Sequence, residues 1–203
     1  MAGKKRRKNR RKKGDGRAAS GPSLSVCLIV RDAADAVGSW VADARRLGDE
    51  VVVVDTGSTD GTRERAAEAG ARVFSLPWAD DFSAARNHAL ERATGEWVLV
   101  LDVDEAVARR DRKAVRRATR RPDADAYRLP TRNYTDRTQA AGWRPCRREY
   151  PDEERDAAGW YPTYKVRLFR RRPAFRFRGC VHEMVEESIL AAGGRIADLD
   201  VPD

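Results

Sequence analysis

Four short apolar segments alternate with three helical patterns in the first half of this 203-residue chain. Strands are predicted at 24–30, 51–54, 72–75 and 97–101, and helices at 35–47, 62–69 and 83–93. Gly48, Gly70 and Gly95 follow the three helical patterns, where a glycine favours helix termination. Alternation of this kind is typical of α/β proteins, in which helices cover both faces of a mostly parallel sheet.

The net charge of +9 is concentrated at the N-terminus. Residues 1–20 contain ten basic residues and one acidic residue, which leaves 31 of each sign in residues 21–203. Residues 1–22 are therefore predicted to form a disordered basic tail. Two interpretations of residues 1–20 stay open: a solubilising extension, or a segment that contacts nucleic acid or an anionic membrane.

The remaining composition indicates a soluble cytoplasmic protein, with a membrane-surface association through the tail left open. The apolar segment after the tail is short and runs into Arg31 and Asp32, unlike a secretory signal. No stretch approaches the roughly 18 apolar residues that a membrane span requires. The three cysteines, Cys27, Cys146 and Cys180, are widely spaced, so we expect reduced thiols that mostly fill the core.

Carboxylates follow three of the predicted strands. Asp32, Asp55 and the pair Asp102 and Asp104 stand at strand ends, where ligands bind in open parallel sheets. If the chain stays extended, Asp102 and Asp104 point the same way, and a divalent cation between them and a phosphate would relieve their repulsion. For an isolated Asp-x-Asp, the alternative is a solvated acidic turn.

Two common nucleotide-binding loops are absent from the sequence. The first predicted strand is followed by Arg31-Asp32-Ala33-Ala34 rather than by Gly-x-Gly-x-x-Gly, and no Gly-x-x-x-x-Gly-Lys occurs. A nucleotidyltransferase would need a glycine-rich basic loop after this strand, which is also missing. A nucleotide site built from carboxylates and a metal remains.

Residues 24–107 resemble family 2 glycosyltransferases with the GT-A fold. The resemblance is carried by four segments in order: Leu24-Ser25-Val26-Cys27-Leu28-Ile29-Val30-Arg31-Asp32, Val53-Val54-Asp55-Thr56-Gly57-Ser58-Thr59-Asp60-Gly61-Thr62, Trp78-Ala79-Asp80-Asp81-Phe82-Ser83-Ala84-Ala85-Arg86-Asn87 and Leu101-Asp102-Val103-Asp104-Glu105. It implies a GT-A domain over 23–203, with a nucleotide-binding half at 23–107. The acceptor-side half, at 108–203, would include a smaller antiparallel part.

The resemblance also implies an activity: metal-dependent transfer of a sugar, with inversion, from a nucleotide sugar. The donor would be a UDP-sugar, and the unknown acceptor a glycan, a lipid-linked molecule or a peptide. Nucleotide-sugar contacts are implied for Val30, Asp32, Asp55, Arg86, Asn87 and Asp102. Asp55 would accept a hydrogen bond from the base, and Arg86 with Asn87 would hold the base or diphosphate. Asp102 would face the ribose or the metal, and Asp104 would coordinate Mn²⁺ or Mg²⁺.

Several residues near these motifs have structural interpretations. Asp60 is expected to cap a helix, and Gly57 and Gly61 to serve turns. Trp78 and Phe82 are expected to pack, and His88 is treated as structural. Arg86 could equally be a surface charge.

The acceptor side is predicted with less detail. We expect a helix at 108–121, strands at 126–129, 164–169 and 175–177, site-covering loops at 132–162, and a short helix near Ile189. His182 and Glu183 resemble a His-Glu element of a glycosyltransferase subgroup, some members of which carry tetratricopeptide repeats. His182 and Glu183 are the candidate catalytic residues. His182 could be a base or a metal ligand, with a structural role as the alternative.

The family pattern usually continues beyond Asp198-Leu199-Asp200-Val201, whereas the sequence ends at Asp203. A short form, a fragment and an inactive protein are all compatible with this. An alternative function is therefore a catalytically silent GT-A domain whose basic tail binds nucleic acid or an anionic membrane.

Overall fold

The structure is a computed structural model that describes residues 21–121 and 123–199. Residues 1–20 of the basic tail predicted at 1–22 lie outside these ranges. The first half contains strands β1 (Leu24–Val30), β2 (Glu50–Asp55), β3 (Arg72–Ser75) and β4 (Trp97–Val100), with helices α1 (Ala34–Ala44), α2 (Thr62–Glu68) and α3 (Phe82–Arg92). All seven predicted elements are present, and β1 and β3 have the predicted bounds. These four strands are parallel neighbours in the order β3-β2-β1-β4.

The second half adds an antiparallel part to the same sheet. Its elements are α4 (Arg112–Ala118), β5 (Ala126–Thr135), β6 (Arg144–Pro145), α5 (Pro151–Glu154), β7 (Gly159–Arg170), α6 (Glu186–Ala191) and β8 (Ile196–Asp198). Strand β7 lies antiparallel to both β4 and β5, and β8 is parallel to β5. The eight-stranded sheet has the order β3-β2-β1-β4-β7-β5-β8, with β6 beside β7.

Three predictions for this half are wrong wholly or in part. Within the loops predicted at 132–162, residues 132–135, 144–145 and 159–162 are strand, because β5 and β7 pair from Ala126↔Phe169 to Thr135↔Gly159 and β6 pairs with β7. The helix predicted at 108–121 forms only at Arg112–Ala118. The strand predicted at 175–177 is absent, since the N–H of Phe177 donates to Oδ1 of Asn87 at 2.9 Å instead of to a neighbouring strand.

Helices cover both faces of the sheet, as predicted. Apolar side chains of α1, α2 and α4 share one buried cluster with β1, β2 and β4. Those of α3 and α6 share a second cluster on the opposite face. Within the described part of the chain, no helix is long and apolar enough to cross a membrane.

The three cysteines are free thiols in different surroundings. Cys27 is buried in β1, Cys146 is half-buried and Cys180 is exposed. The prediction that they mostly fill the core therefore holds for Cys27 alone.

Candidate functional site

The carboxyl ends of β1, β2 and β4 meet at one edge of the sheet. Asp55 is the last residue of β2, Asp32 follows β1, and Asp102 with Asp104 follow β4. The parallel register pairs Val30 with Asp55 and Cys27 with Val100, so the strands end side by side. We call Asp32, Asp55, Asp102 and Asp104 the carboxylate rim. The structure thus brings together residues from three separate sequence regions.

Asp55 is 1% exposed and has one unused oxygen. Its Oδ2 accepts hydrogen bonds from the backbone N–H groups of Gly57 and Ser58, both at 3.1 Å. Gly57 has a φ of 109°, a left-handed conformation that suits glycine and turns the chain over Asp55. Within the described residues, Oδ1 is buried without a hydrogen-bond partner. Since an unsatisfied buried acceptor is costly, Oδ1 is suited to an N–H donor from a ligand.

Asp32 is tied to the loop that follows β2. Its Oδ1 accepts from the N–H of Thr59 at 2.9 Å, and its own N–H donates to Oγ of Ser58 at 2.8 Å. Asp60 lies in the same loop, where Oδ2 accepts from the N–H of Ala34 at 3.0 Å and Oδ1 from that of Thr62. Asp60 therefore caps the start of α1, in keeping with its expected structural role.

Val30 faces the core rather than the rim. Its side chain is 5% exposed in the first apolar cluster, and its carbonyl accepts from the N–H of Thr56 at 2.9 Å. The side chain of Val30 thus packs in the core, and the nucleotide contact implied for Val30 stays a prediction.

Asp102 is held between two buried arginines. Nη2 of Arg86 contacts Oδ1 at 2.8 Å, and Nη2 of Arg167 contacts Oδ2 at 3.1 Å. Arg167 also pairs with Glu105, and Nε of Arg86 pairs with Glu183 at 2.7 Å. Both arginines are 5% exposed, so the interpretation of Arg86 as a surface charge is wrong.

These arginines decide the charge of Asp102. Burial by itself would raise the pKa of Asp102, but the attraction of Arg86 and then of Arg167 outweighs it and holds the pKa below its ordinary value. Asp102 is therefore a carboxylate at neutral pH.

The chain turns after Asp102 instead of staying extended. The N–H of Glu105 donates to the carbonyl of Asp102, and the N–H of Asp102 donates to Oε2 of Glu105, both at 3.0 Å. Nε1 of Trp40 donates to the carbonyls of Asp102 and Glu105, which fixes the turn. The condition for Asp102 and Asp104 to point the same way, an extended chain, is therefore not met. Asp102 is paired, whereas Asp104 is exposed and has no hydrogen bond or ion pair within 21–121 and 123–199.

Arg167 was missed from the sequence. The β5–β7 register passes from Tyr127↔Leu168 to Arg128↔Val166, so Arg167 is an extra residue in β7. Such a bulge bends a strand and redirects a side chain, and here the guanidinium faces Asp102 and Glu105. The available signal was an arginine inside the apolar run Val166-Arg167-Leu168-Phe169.

Asn87, for which the resemblance implies a nucleotide contact, bonds to the backbone of Phe177, and the nucleotide contact stays a prediction. Nδ2 of Asn87 donates to the carbonyl of Phe177 at 3.0 Å, and its Oδ1 accepts from the N–H of Phe177. Both halves of the amide thus fasten Phe177 to α3. Nε2 of His88 accepts a hydrogen bond from Nε of Arg92 at 3.5 Å. The rings of Trp78 and Phe82 pack edge-to-face with their centroids 4.7 Å apart, in keeping with the expected packing role of both residues.

His182 and Glu183 lie at an open pocket beside the arginines. The pocket has a volume of about 130 Å³, and residues that line it include Arg86, Lys165, Arg167, His182 and Glu183. His182 is exposed, whereas Glu183 is half-buried in its ion pair with Arg86. The structure therefore brings both residues to the β7 side of the carboxylate rim.

A metal ion would depend on ligands from outside the protein. Within the part of the chain that the structure describes, no three or more His, Cys, Asp or Glu side chains form a group that could hold a metal ion. Asp104 is exposed, and Asp102 lies two residues before it in the chain. Mg²⁺ is commonly held by one or two carboxylates together with substrate phosphates. The residues present fit a cation that a diphosphate helps to hold.

Comparisons with known proteins agree with this architecture. A TPR repeat-containing protein of Synechococcus elongatus is 38% identical over 169 residues, which are 83% of this chain and 36% of that protein. The chain spans about a third of the length of curated relatives that it matches.

Two solved structures share the fold. A mannosyltransferase of Pyrobaculum calidifontis, in complex with GDP-Man and Mn²⁺, has a TM-score of 0.57 at 18% identity and covers 89% of this chain and 55% of its own. Glucosyl-3-phosphoglycerate synthase of Mycobacterium tuberculosis, in complex with Mn²⁺, UDP and glucosyl-3-phosphoglycerate, has a TM-score of 0.52 at 18% identity and covers 89% and 71%. These likenesses confirm the predicted GT-A fold.

The family model described as glycosyl transferase family 2 matches residues 25–177 of the 203. The match includes the whole carboxylate rim and β7. The chain therefore belongs to glycosyl transferase family 2.

Proposed function

We propose that this protein transfers a sugar from a UDP-sugar to an acceptor hydroxyl, with Mn²⁺ or Mg²⁺ and with inversion at the anomeric carbon. The observation that carries the proposal is the carboxylate rim, where Asp104 is exposed and Oδ1 of Asp55 lacks a donor. Family membership and the UDP and GDP-Man complexes of two proteins with the same fold support it.

The strand order determines how the UDP-sugar would lie along the carboxylate rim. Asp55 ends β2, and Asp102 and Asp104 follow β4, with β1 between these strands. A base N–H would satisfy Oδ1 of Asp55, which puts the diphosphate near Asp104, two strands away. When bound, a divalent cation would neutralise the negative charge that develops on the departing diphosphate. Asp104 would hold this cation, and Arg86 with Arg167 keep Asp102 ionised and oriented beside it.

His182 is better placed than Glu183 to accept the proton of the acceptor hydroxyl. Glu183 is paired with Arg86 at 2.7 Å, so its Oε1 already accepts a hydrogen bond from the guanidinium. His182 is exposed at the same pocket. In this step the hydroxyl oxygen bonds to the anomeric carbon as its proton passes to His182. The bond from that carbon to the phosphate oxygen breaks, and its electron pair leaves with UDP.

Titration calorimetry of UDP in the presence of Mn²⁺ tests the donor site. Asp104→Asn should weaken UDP binding in Mn²⁺ by about tenfold or more, because a charged ligand of the cation is lost. Asp104 is exposed, so folding should be unaffected. Asp102→Ala is less suitable, since it would leave two buried arginines short of a partner. The matched control is Glu91→Gln, because Glu91 is an exposed carboxylate near the C-terminal end of α3.

Equal UDP affinity in Asp104→Asn and the wild type would overturn the proposed donor site. A screen of nucleotide sugars for metal-dependent hydrolysis then tests the activity, because hydrolysis of the donor needs no acceptor. Turnover that stops when Mn²⁺ is chelated is the expected result. A protein that neither binds UDP nor hydrolyses any donor would be the catalytically silent domain.

A further inference from the structure

The pocket beside β7 lies beyond the proposed donor site. In the sheet order β2-β1-β4-β7, Asp55 is at β2 and the pocket is formed by β7 and the segment 177–186. Three strand spacings of about 4.8 Å separate β2 from β7, or roughly 14 Å. With the base at β2 and the diphosphate at β4, the next position along the rim belongs to the acceptor.

Three basic residues line this pocket, Arg86, Lys165 and Arg167, and each has an N–H group without a hydrogen-bond acceptor among the described residues. Nη1 of Arg86 and Nε of Arg167 are buried and lack a partner among the residues described. Lys165 is exposed on β7 and has no ion pair in the described part of the chain. The neighbouring carboxylates already accept hydrogen bonds, Glu183 from Arg86, and Glu186 from the N–H groups of Val166 and Val185.

The exposed ammonium of Lys165, with the positive charges of Arg86 and Arg167 behind it, favours an anionic, oxygen-rich ligand. Guanidinium and ammonium groups form their strongest hydrogen bonds with phosphate and carboxylate oxygens. A volume of about 130 Å³ suits such a group with its nearest carbon atoms, since a water molecule takes up about 30 Å³.

We propose that this pocket binds an anionic group, phosphate or carboxylate, of the sugar acceptor, and that Lys165 is its main contact. The inference rests on the proposed function and narrows the acceptor to an acidic, hydroxyl-bearing molecule. Anchoring the acid at Lys165 would place a hydroxyl of the same molecule near His182, which lines the same pocket.

The chain offers a matched internal control, because Lys113 and Lys165 are the only lysines from residue 21 onward. Lys113 is exposed on α4. Amine acetylation of the full chain, quantified for each lysine by peptide mass spectrometry, reports the accessibility of both. The probes are glycerol 3-phosphate and glycerate, with glycerol and matched sodium chloride as references.

Either acidic probe should slow acetylation of Lys165 at least about threefold relative to the references and leave Lys113 unchanged. Whichever probe protects more strongly identifies phosphate or carboxylate as the preferred group. Equal protection of both lysines, equal protection by glycerol, or no protection of Lys165 would overturn the inference.

Variants separate this pocket from the donor site. Lys165→Met should weaken binding of the more protective probe by about tenfold, Lys165→Arg should restore part of it, and Lys113→Met should have no effect. UDP binding in Mn²⁺ should be the same in all three variants. If Lys165→Met alone weakens UDP binding, the lysine serves the donor, which overturns this inference and leaves the proposed function standing. If UDP fails to bind the wild type, the proposed function itself fails.

Discussion

The two halves of the sheet bury charge in different ways. In the parallel half, β1, β2 and β4 are apolar inside, and the rim carboxylates appear where these strands end. In the antiparallel half, β7 carries Arg167 within the strand, 5% exposed. The second half thus supplies a buried cation to the carboxylates of the first, at the ion pair between Arg167 and Asp102. The site is assembled where the halves meet, and neither half contains it alone.

Removing the arginine of the second half should have the largest effect. Arg167→Met leaves Glu105 without its ion pair and Asp102 with one arginine in place of two. We expect the free energy of unfolding to fall by about 3 kcal/mol, since Glu105 and Asp102 lose a cation that compensates their desolvation but are themselves partly exposed. Urea denaturation measures it.

Arg178→Met is the matched control, because Arg178 is exposed in the same half and should change stability by less than about 0.5 kcal/mol. A loss of less than about 1 kcal/mol in Arg167→Met would mean that the halves do not depend on this pair.

The next effect concerns Glu50, which lies at the start of β2, at the opposite end of that strand from the carboxylate rim. Burial alone would raise the pKa of Glu50, but hydrogen bonds from Ser25, Thr94 and Arg72 outweigh it and lower the pKa to about 2. A carboxylate whose pKa is lower in the folded state than in the unfolded state stabilises the fold at pH values above its unfolded-state pKa, which is near 4.3. For Glu50 this contribution disappears as the pH falls toward 2. At pH 7, Glu50→Gln should cost about 2 kcal/mol.

The pH dependence makes this prediction specific. The stability difference between wild type and Glu50→Gln should shrink as the pH is lowered from about 4.5 to about 2. Glu68→Gln, an exposed carboxylate on α2, should show no such trend. A difference that is constant across this range would show that the ionised form of Glu50 is unimportant.

The smallest effect is expected at the second connection between the halves, through Asn87. Asn87→Ala removes both hydrogen bonds to the backbone of Phe177 and should cost about 1 kcal/mol by thermal or urea denaturation. His88→Ala, one residue along α3, should cost less than about 0.5 kcal/mol. UDP affinity should be unchanged in both variants. A loss of UDP affinity in Asn87→Ala alone would support the nucleotide contact that the family resemblance implies.

The parallel half was predictable because each element obeys its own local pattern. The local patterns define β1 and β3 to the residue, and the parallel pairing of the strands then follows from the alternation of strands and helices. In the antiparallel half, Pro130 and Pro162 lie inside β5 and β7 and argue against strands. The length of these strands is set by their pairing with each other, which no local pattern reports.

The candidate site was predictable to the same extent. Asp32, Asp55, Asp102 and Asp104 could be placed at the rim, because each follows an apolar run. The arginine partners of Asp102 could not be predicted, because the contact with Arg167 joins residues 65 positions apart and depends on a bulge. The different surroundings of Asp102 and Asp104 come from the turn that Trp40 holds, another contact between distant residues.

The bulge at Arg167 also means that β7 is one residue longer than its pairing with β5 requires. Loss of that residue would leave a continuous ladder from Ala126 to Thr135, while removing the guanidinium from Asp102. A regular β5–β7 ladder would therefore need one residue fewer in β7, whereas the ion pair with Asp102 needs the extra residue, Arg167. A chain that lacked residue 167 would keep the paired strands of this sheet without keeping the charge balance of the site.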